Sequence, residues 1–129
     1  MKRENLEKNR GQALVEFALV LPIFLLIVLG IMEFGNLLFQ INVVTGAARE
    51  GVRVAAVTAP DGTAVSAAVN NVLNAANIHD PVITVAGPTG ANEVSVTVQV
   101  IYSSITGGFV PGIGTTFPIA RTSIMRWEN

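Results

Sequence analysis

The chain has 129 residues, of which half are hydrophobic and 13% are charged, and its mean hydropathy is +0.54. This length fits one modest domain plus an anchor, and the apolar balance is high for a soluble domain. The net charge of −1 gives no indication of nucleic-acid binding. Because the chain has no cysteine, a disulfide framework, a thiolate zinc site, a cysteine nucleophile and a lipidated cysteine anchor are excluded.

Charge is distributed unevenly along the chain. The first ten residues hold four lysines or arginines against two glutamates, whereas from Gln12 onward seven acids oppose four arginines. Positively charged residues stay on the cytoplasmic side of a bilayer. The asymmetry therefore predicts a single-pass protein of the inner membrane, with its N-terminus inside and its C-terminal domain outside.

Residues 13–32 form a nearly unbroken apolar run in which Glu16 is the only charge. About 20 apolar residues span the hydrocarbon core of a bilayer, so we predict a transmembrane helix over 12–33 with Glu33 at its outer membrane boundary. Glu16 can snorkel towards the near interface and favour the positive end of the helix dipole. Pro22 removes a hydrogen bond inside the run, which indicates a helix that packs against others or bends.

The same helix is predicted to continue as an amphipathic outer half over 34–58, because apolar residues recur there at spacings of three and four. On this half Arg49 and Arg53 share a face, and Glu50 can pair with Arg53. The cluster is either a solvated face or a contact surface for a neighbouring subunit or for the domain's own sheet.

Residues 59–129 are predicted to form a small globular domain. A second helix is expected from Thr63, as N-cap, to about Asn77, with an alanine-rich apolar face. A period of two then predicts strands at 82–86, 93–102 and 117–127. The predicted fold class is α+β: a long N-terminal helix, a short second helix and an antiparallel sheet of about three strands packed on the outer half of the long helix.

Catalytic chemistry has little support in the sequence. His79 beside Asp80 could act as a weak metal site or a general base, but the simpler and favoured interpretation is a polar loop between helix and strand. The glycines between 107 and 114 lack the lysine of a phosphate-binding loop. We therefore predict a protein that is not an enzyme and has no cofactor, no metal and no small-molecule substrate.

The N-terminal motif "RGQALVEF" resembles the processing site of type IV pilin-like proteins. More narrowly, "GQALVEFALVLPIFLLIVLGIMEFG", "AAREGVRVAA" and the terminal "SIMRWE" are similar to the TadE-like family, pilin-like proteins of the bacterial Tad/Flp tight-adherence pili. The resemblance is strong over residues 10–58 and weaker over 119–128. It implies a pilin-like fold and a structural function.

The resemblance also implies roles for residues of the N-terminal helix. A prepilin peptidase would remove the basic leader, 1–11, by cutting between Gly11 and Gln12. Glu16 would then be the fifth residue of the mature chain, where it would meet the new amino terminus of its own or a neighbouring subunit during assembly. Phe17 and Pro22 would take part in the helix packing of the assembled filament.

A second motif of the resemblance lies on the outer half of the helix. Arg49, Glu50, Gly51 and Arg53 match a family signature, which we assign to subunit contact without a derived mechanism. The implied partners are the membrane, the prepilin peptidase, the pilus assembly platform and other pilin subunits, either copies of this chain or a major pilin. The implied final location is the pilus at the cell surface.

Two interpretations follow. Some 70 residues lie beyond the long helix, which favours a minor or priming pilin subunit over a main filament subunit. The alternative is an uncleaved single-pass anchor that displays a small binding module on the outer face of the membrane. N-terminal sequencing separates the two, because only the pilin interpretation requires a chain that starts at Gln12.

Overall fold

The computed structural model describes residues 2–58, 62–108 and 114–127, and of residues 2–10 only the backbone. In chain order the elements are α1 (Lys2–Val57), α2 (Thr63–Ala75), β1 (Val82–Ala86), β2 (Glu93–Ser103) and β3 (Thr116–Arg126). The predicted α+β class is confirmed: a long N-terminal helix, a short second helix and a three-stranded antiparallel sheet. Part of the predicted 60–62 turn and of the 103–115 loop lies outside the described residues.

Helix α1 runs for 56 residues and continues through Pro22. At 1.5 Å per residue it is about 84 Å long. It begins earlier than the apolar run, because residues 2–10 of the basic segment are also helical. The basic segment, the apolar run and the amphipathic half are thus three parts of one rod.

The sheet has the strand order β1-β2-β3 with both pairs antiparallel. Alternation along β2 sends one set of side chains towards the helices, and all of them are buried: Val94, Val96, Val98, Val100 and Tyr102. The period-two pattern of the sequence predicts this arrangement, since successive side chains of a strand point to opposite faces. The result is a continuous face of four valines and one tyrosine on which the helices pack.

The core lies between this valine surface, the outer half of α1 and helix α2. Helix α1 contributes mostly small side chains: Val44, Ala47, Ala48, Val52, Ala55 and Ala56. Small residues let helix and sheet backbones approach closely, so that a thin core still excludes water. The distal half of α1 is therefore an integral part of the globular domain.

Two details of the predicted helices were wrong. Helix α2 buries Val65, Val69 and Leu73, spaced by four, and most of its alanines lie outside that buried face. Thr63 is the first helical residue, and Gly62, with φ of 79°, occupies the N-cap position. The larger side chains face the core because their burial removes more apolar area from water than the burial of alanine does.

Candidate functional site

The N-terminal half of α1 presents an uncovered apolar surface. Every side chain from residue 11 to residue 27 is exposed, including Phe17 at 63%. Within the described part of the chain, α1 is the one helix long and apolar enough to cross a membrane. The globular domain packs only on the other half of the helix, so this surface is free for lipid or for other helices.

Four of the predicted site residues lie on this surface. Gln12 and Glu16 are one helical turn apart, and the Gln12 Nε2 atom donates a hydrogen bond to Glu16 Oε1 at 3.4 Å. Gly11 and Phe17 are exposed on the same stretch. The structure thus joins Gln12 to Glu16 and leaves both far along the rod from the domain.

Pro22 borders a shallow apolar cavity of about 430 Å³ on the helix surface. Leu21, Leu25, Leu26 and Leu29 also line it. Since proline has no N–H, the carbonyl of Ala18 lacks its usual donor at this point. The cavity is lined by α1 alone and opens on its exposed apolar surface.

Glu33 is buried, with 1% of its surface exposed. Its carboxylate accepts a hydrogen bond from the Tyr102 hydroxyl. The backbone N–H of Ile105 donates to its Oε1 atom at 3.2 Å, and that of Thr106 to its Oε2 atom at 3.0 Å. We call Glu33, Tyr102, Ile105 and Thr106 the Glu33 junction, because these contacts fasten the loop after β2 to the helix.

Tyr102, near the end of β2, is the residue of the sheet domain whose side chain binds Glu33. Its ring is fully buried and lies 4.8 Å from the ring of Phe117, between centroids. The Asn36 Nδ2 atom donates to its hydroxyl oxygen at 3.5 Å. Burial, and then the hydrogen bond to the Glu33 carboxylate, raise the pKa of Tyr102 above its ordinary value. The hydroxyl therefore remains a proton donor throughout the physiological range.

The sequence predicted Glu33 only as a marker of the outer membrane boundary, and that role stays a prediction. The junction itself was missed, because Glu33 and Tyr102 are 69 positions apart and no local pattern links them. A signal did exist: an acid ends the apolar run, and the only tyrosine of the chain ends the valine face of β2. A buried carboxylate requires donors, and a buried tyrosine hydroxyl requires an acceptor.

The stretch from Arg49 to Arg53 has two distinct sides. Gly51 is buried, and a Cβ atom at this position would lie 2.7 Å from Val69 Cγ2 and 3.1 Å from Val96 Cγ1. Gly51 thus permits the close approach of α1 to both α2 and β2. Arg49 and Arg53 lie on the opposite, exposed side of the helix.

The predicted pairing of Glu50 with Arg53 is present. Arg53 donates twice, from Nη2 to Glu50 Oε1 at 2.6 Å and from Nε to Glu50 Oε2 at 3.0 Å. The hydrogen bonds from Arg53 lower the pKa of Glu50 below its ordinary value of 4.5. The pair is solvent-exposed, and exposed pairs contribute little to stability.

For this ion pair we expect an effect on titration and almost none on folding. In Arg53→Gln the pKa of Glu50 should rise towards its ordinary value, because the donor that favours the carboxylate is lost. The pKa of Glu50 is lower in the folded chain than in the unfolded chain. The small stabilisation from the Glu50–Arg53 pair is therefore fully present above the unfolded-state pKa, and it is lost as the pH falls through the folded-state pKa. NMR titration of the Glu50 side-chain carbon measures the shift; an unchanged pKa would contradict the pairing in solution.

A surface groove of about 590 Å³ separates this helix face from β3. We call it the α1/β3 groove; α1 lines it with Gly46, Arg49, Glu50, Val52 and Arg53, and β3 with Ser123, Ile124 and Met125. The signature residues therefore face a real concavity, except Gly51, which faces the core. His79, by contrast, is exposed, and its Nε2 atom lies 3.1 Å from Asn77 Oδ1 in the loop before β1.

Comparison with protein families finds a match that lies within α1. The family model described as TadE-like protein matches residues 11–53. The chain carries a TadE-like segment. This match confirms the resemblance found in the sequence, and it suggests a Tad pilus-associated protein of a structural, pilus-related family. No curated protein and no solved structure matches the chain.

The TadE-like segment covers the exposed apolar half of α1, the Glu33 position and the signature at 49–53, and it excludes the sheet. Together with the apolar helix near the N-terminus, the match suggests a single-pass membrane protein of a pilus system. The same two observations suggest that the chain's partners are the membrane and pilin subunits. The matched segment thus joins an exposed apolar half to an outer half that packs against the sheet domain, where Val44, Ala47, Ala48 and Val52 are buried.

Proposed function

We propose that this chain is a pilin-like structural subunit of a Tad-type pilus, cleaved after Gly11 by a prepilin peptidase and assembled through its N-terminal helix. A minor or priming subunit is favoured over the main filament subunit, because the TadE-like helix carries a sheet domain of appreciable size. The observation that carries the proposal is that the TadE-like match includes the whole uncovered apolar stretch of α1.

An exposed apolar helix has two stable environments. In the inner membrane its side chains contact lipid, and in a filament they contact other helices. Transfer between the two costs little hydrophobic free energy, since lipid and helix interiors are similarly apolar. The Glu33 junction supports this route, because it fixes the sheet domain to the helix so that rod and domain can move as one unit.

Glu16 has a specific part in the proposal. Cleavage after Gly11 creates a positively charged amine on Gln12, one turn from Glu16, and the Gln12–Glu16 hydrogen bond supports a shared helix face. An amine and a carboxylate together enter an apolar environment at lower cost than either alone. The amine of a neighbouring subunit would serve the carboxylate equally well.

Processing is tested on the native chain. Filaments sheared from the cell surface and the membrane fraction are compared by mass spectrometry of the N-terminal peptide. We expect chains that begin at Gln12, located in the inner membrane and, at low abundance relative to the major pilin, in the filaments. Chains that begin at Met1 or Lys2 in both fractions would contradict cleavage and favour the uncleaved anchor.

Assembly is tested at Glu16. In Glu16→Ala we expect normal membrane insertion and a loss of filament incorporation of about tenfold or more, since the amine loses its counter-charge. Glu16→Gln, which keeps the size and removes the charge, should behave in the same way. Leu19→Ala, another exposed position on the same helix, is the matched control and should incorporate nearly normally. Normal incorporation of both Glu16 variants would show that the carboxylate has no role in assembly.

A further inference from the structure

The exposed surface of α1 stays apolar beyond the residue that ends the apolar run. From residue 17 to residue 41 every exposed side chain of the helix is apolar. Phe34, Leu38 and Phe39 lie past Glu33 and are 56%, 44% and 52% exposed. Glu33 does not interrupt this surface, because its own side chain is buried against the sheet domain.

The loop after β2 adds another exposed apolar side chain at the same level of the helix. Ile105 is 63% exposed, and its backbone N–H donates to the Glu33 carboxylate at 3.2 Å. We call Phe34, Leu38, Phe39 and Ile105 the apolar collar. Large apolar side chains that are exposed together mark a surface that contacts a partner or a membrane.

The apolar collar faces several sides of α1. Successive helical residues are about 100° apart around the axis, so Leu38 and Phe39 point in directions about 100° apart. Glu33, which accepts the hydrogen bond from Ile105, lies about 140° from Leu38 in the other direction. One neighbouring helix covers a single side of α1, whereas lipid surrounds a helix that is apolar on all sides. The distribution of the collar therefore favours a bilayer as its partner over a second protein helix.

The backbone of the loop after β2 is suited to apolar surroundings. In lipid an unsatisfied backbone polar group is costly, because no water replaces the missing partner. Each N–H group from residue 104 to residue 108 has an acceptor within the chain: Ser104 donates to the Thr115 carbonyl oxygen at 2.9 Å, Ile105 and Thr106 to Glu33, Gly107 to the Ser104 carbonyl oxygen at 3.5 Å, and Gly108 to Ser104 Oγ at 3.3 Å. These N–H groups can therefore leave water without losing a partner.

The extent of the apolar collar along the helix matches the headgroup layer of a bilayer. With Glu33 at the outer end of the hydrocarbon core, Phe39 lies six residues further out, or about 9 Å along the axis. The interfacial layer on each side of the core is about 5–8 Å thick, and phenylalanine and leucine are typical of helix faces that enter it. Asn42 is the first exposed polar residue beyond this surface, about 14 Å from Glu33 along the axis, and it lies in water.

We propose that the apolar collar is a lipid-contact surface, and that Ile105 and its loop enter the interfacial layer of the outer leaflet, so that the sheet domain rests on the membrane. The partner is the phospholipid bilayer itself, because the collar continues the apolar surface of the predicted membrane span without a polar break. The inference rests on the proposed function and deepens it, because it states where the sheet domain lies before the subunit is assembled.

Spin labelling of the full chain tests the proposal, in nanodiscs of phosphatidylethanolamine and phosphatidylglycerol prepared so that each disc holds a single chain. The chain has no cysteine, so Ile105→Cys and Ile124→Cys each accept one nitroxide label without background. Ile124 is the matched control, because it is also 63% exposed. It pairs with Ser95, which is seven β2 residues, or about 23 Å, from Tyr102 at the Glu33 junction.

The measurement is the accessibility of each label to oxygen relative to a water-soluble nickel chelate. We expect this ratio to be about fivefold or more higher for the Ile105 label than for the Ile124 label, because oxygen partitions into apolar surroundings. Equal ratios would overturn the proposal, since the loop would then lie in water. Low accessibility of the Ile105 label to both reagents would also overturn it, because protein would then cover the loop.

Labels on the helix test the apolar collar independently of the loop. Leu38→Cys and Phe39→Cys place labels on different sides of α1, and both should show the high ratio expected in lipid. Asn42→Cys, one turn beyond Leu38, should show the low ratio of a label in water. A high ratio at only one of Leu38 and Phe39, or at neither, would overturn the collar, because lipid would then not surround the helix at this level.

The inference and the proposed function fail in different ways. A label at Ile105 that lies in water, on a chain that begins at Gln12 and enters filaments, would make only the inference wrong. Retention of the leader in both the membrane and the filament fractions contradicts cleavage after Gly11. It leaves the apolar collar in place, because an uncleaved anchor has the same membrane-spanning helix.

Discussion

Glu33→Ala is expected to detach the loop after β2 from the helix and to produce the largest local change of any single substitution in the domain. The variant leaves the buried Tyr102 hydroxyl and the N–H groups of Ile105 and Thr106 without their acceptor. Unmade hydrogen bonds of buried groups are costly. Amide exchange at Ile105 and Thr106, followed by mass spectrometry on the full chain in nanodiscs, should accelerate about tenfold or more.

Two companion variants separate the contributions to the Glu33 junction. Tyr102→Phe keeps the contact with the Phe117 ring and removes only the hydroxyl. We therefore expect it to lower the free energy of unfolding by about 1–3 kcal/mol, which is less than the loss in Glu33→Ala. Glu16→Ala removes an acid from the same helix, far from the sheet, and should leave loop exchange unchanged. If exchange in Glu33→Ala equals that of the unsubstituted chain, the junction does not hold the loop.

The Glu33 junction determines where the sheet domain is attached to α1. Glu33 is the residue that directly follows the apolar run, and its partners in the sheet domain are the Tyr102 hydroxyl and two backbone N–H groups. The domain is therefore attached to α1 directly after the apolar run, and we expect little freedom of tilt between the domain and the helix. In a filament such attachment would fix the angle at which each outer domain meets its neighbour.

Gly51→Ala is the second substitution for which we expect a large effect. Its Cβ atom would come within 2.7 Å of Val69 Cγ2, and that methyl group cannot move easily because valine is stiff about χ1. Overpacking of this kind costs about 1–3 kcal/mol. Urea denaturation of the full chain in detergent micelles, followed by the fluorescence of the single tryptophan, Trp127, measures the loss.

The same helix supplies a matched control for this substitution. Gly46 lies five residues earlier, is exposed, and has open space where a Cβ atom would be. Gly46→Ala should therefore stabilise the chain by about 0.5–1 kcal/mol, because alanine loses less conformational entropy in a helix. Val69→Ala should relieve part of the Gly51→Ala penalty, so that the double variant costs less than the sum of the two. Equal effects at both glycines would show that α1 does not pack closely at Gly51.

This result changes the meaning of the signature at 49–53. The sequence assigned all four of its residues to subunit contact, and that assignment remains a prediction for Arg49, Glu50 and Arg53, which border the α1/β3 groove. For Gly51 the packing geometry supplies an internal reason: α1, α2 and β2 meet at this point. A single motif thus serves the core on one side and an exposed groove on the other.

The positions of the strands could be predicted because period-two alternation is a local property. Strand β1 was predicted at its observed bounds, and β2 and β3 to within one residue, since buried and exposed valines and polar residues alternate visibly. The buried face of α2 was not predictable in the same way. Alanine and valine both suit a helix interior, and only the position of the sheet decides which of them face it.

The sequence by itself determined the apolar run, its orientation signal, the acid at Glu16, the proline at 22 and the alternation of β2, because each is a pattern of neighbouring residues with its own physical meaning. Only the tertiary structure decided the Glu33 junction, the need for glycine at 51 and the α1/β3 groove. Each of these joins residues that are far apart in the chain, and such contacts depend on how helix and sheet pack, which no local periodicity records.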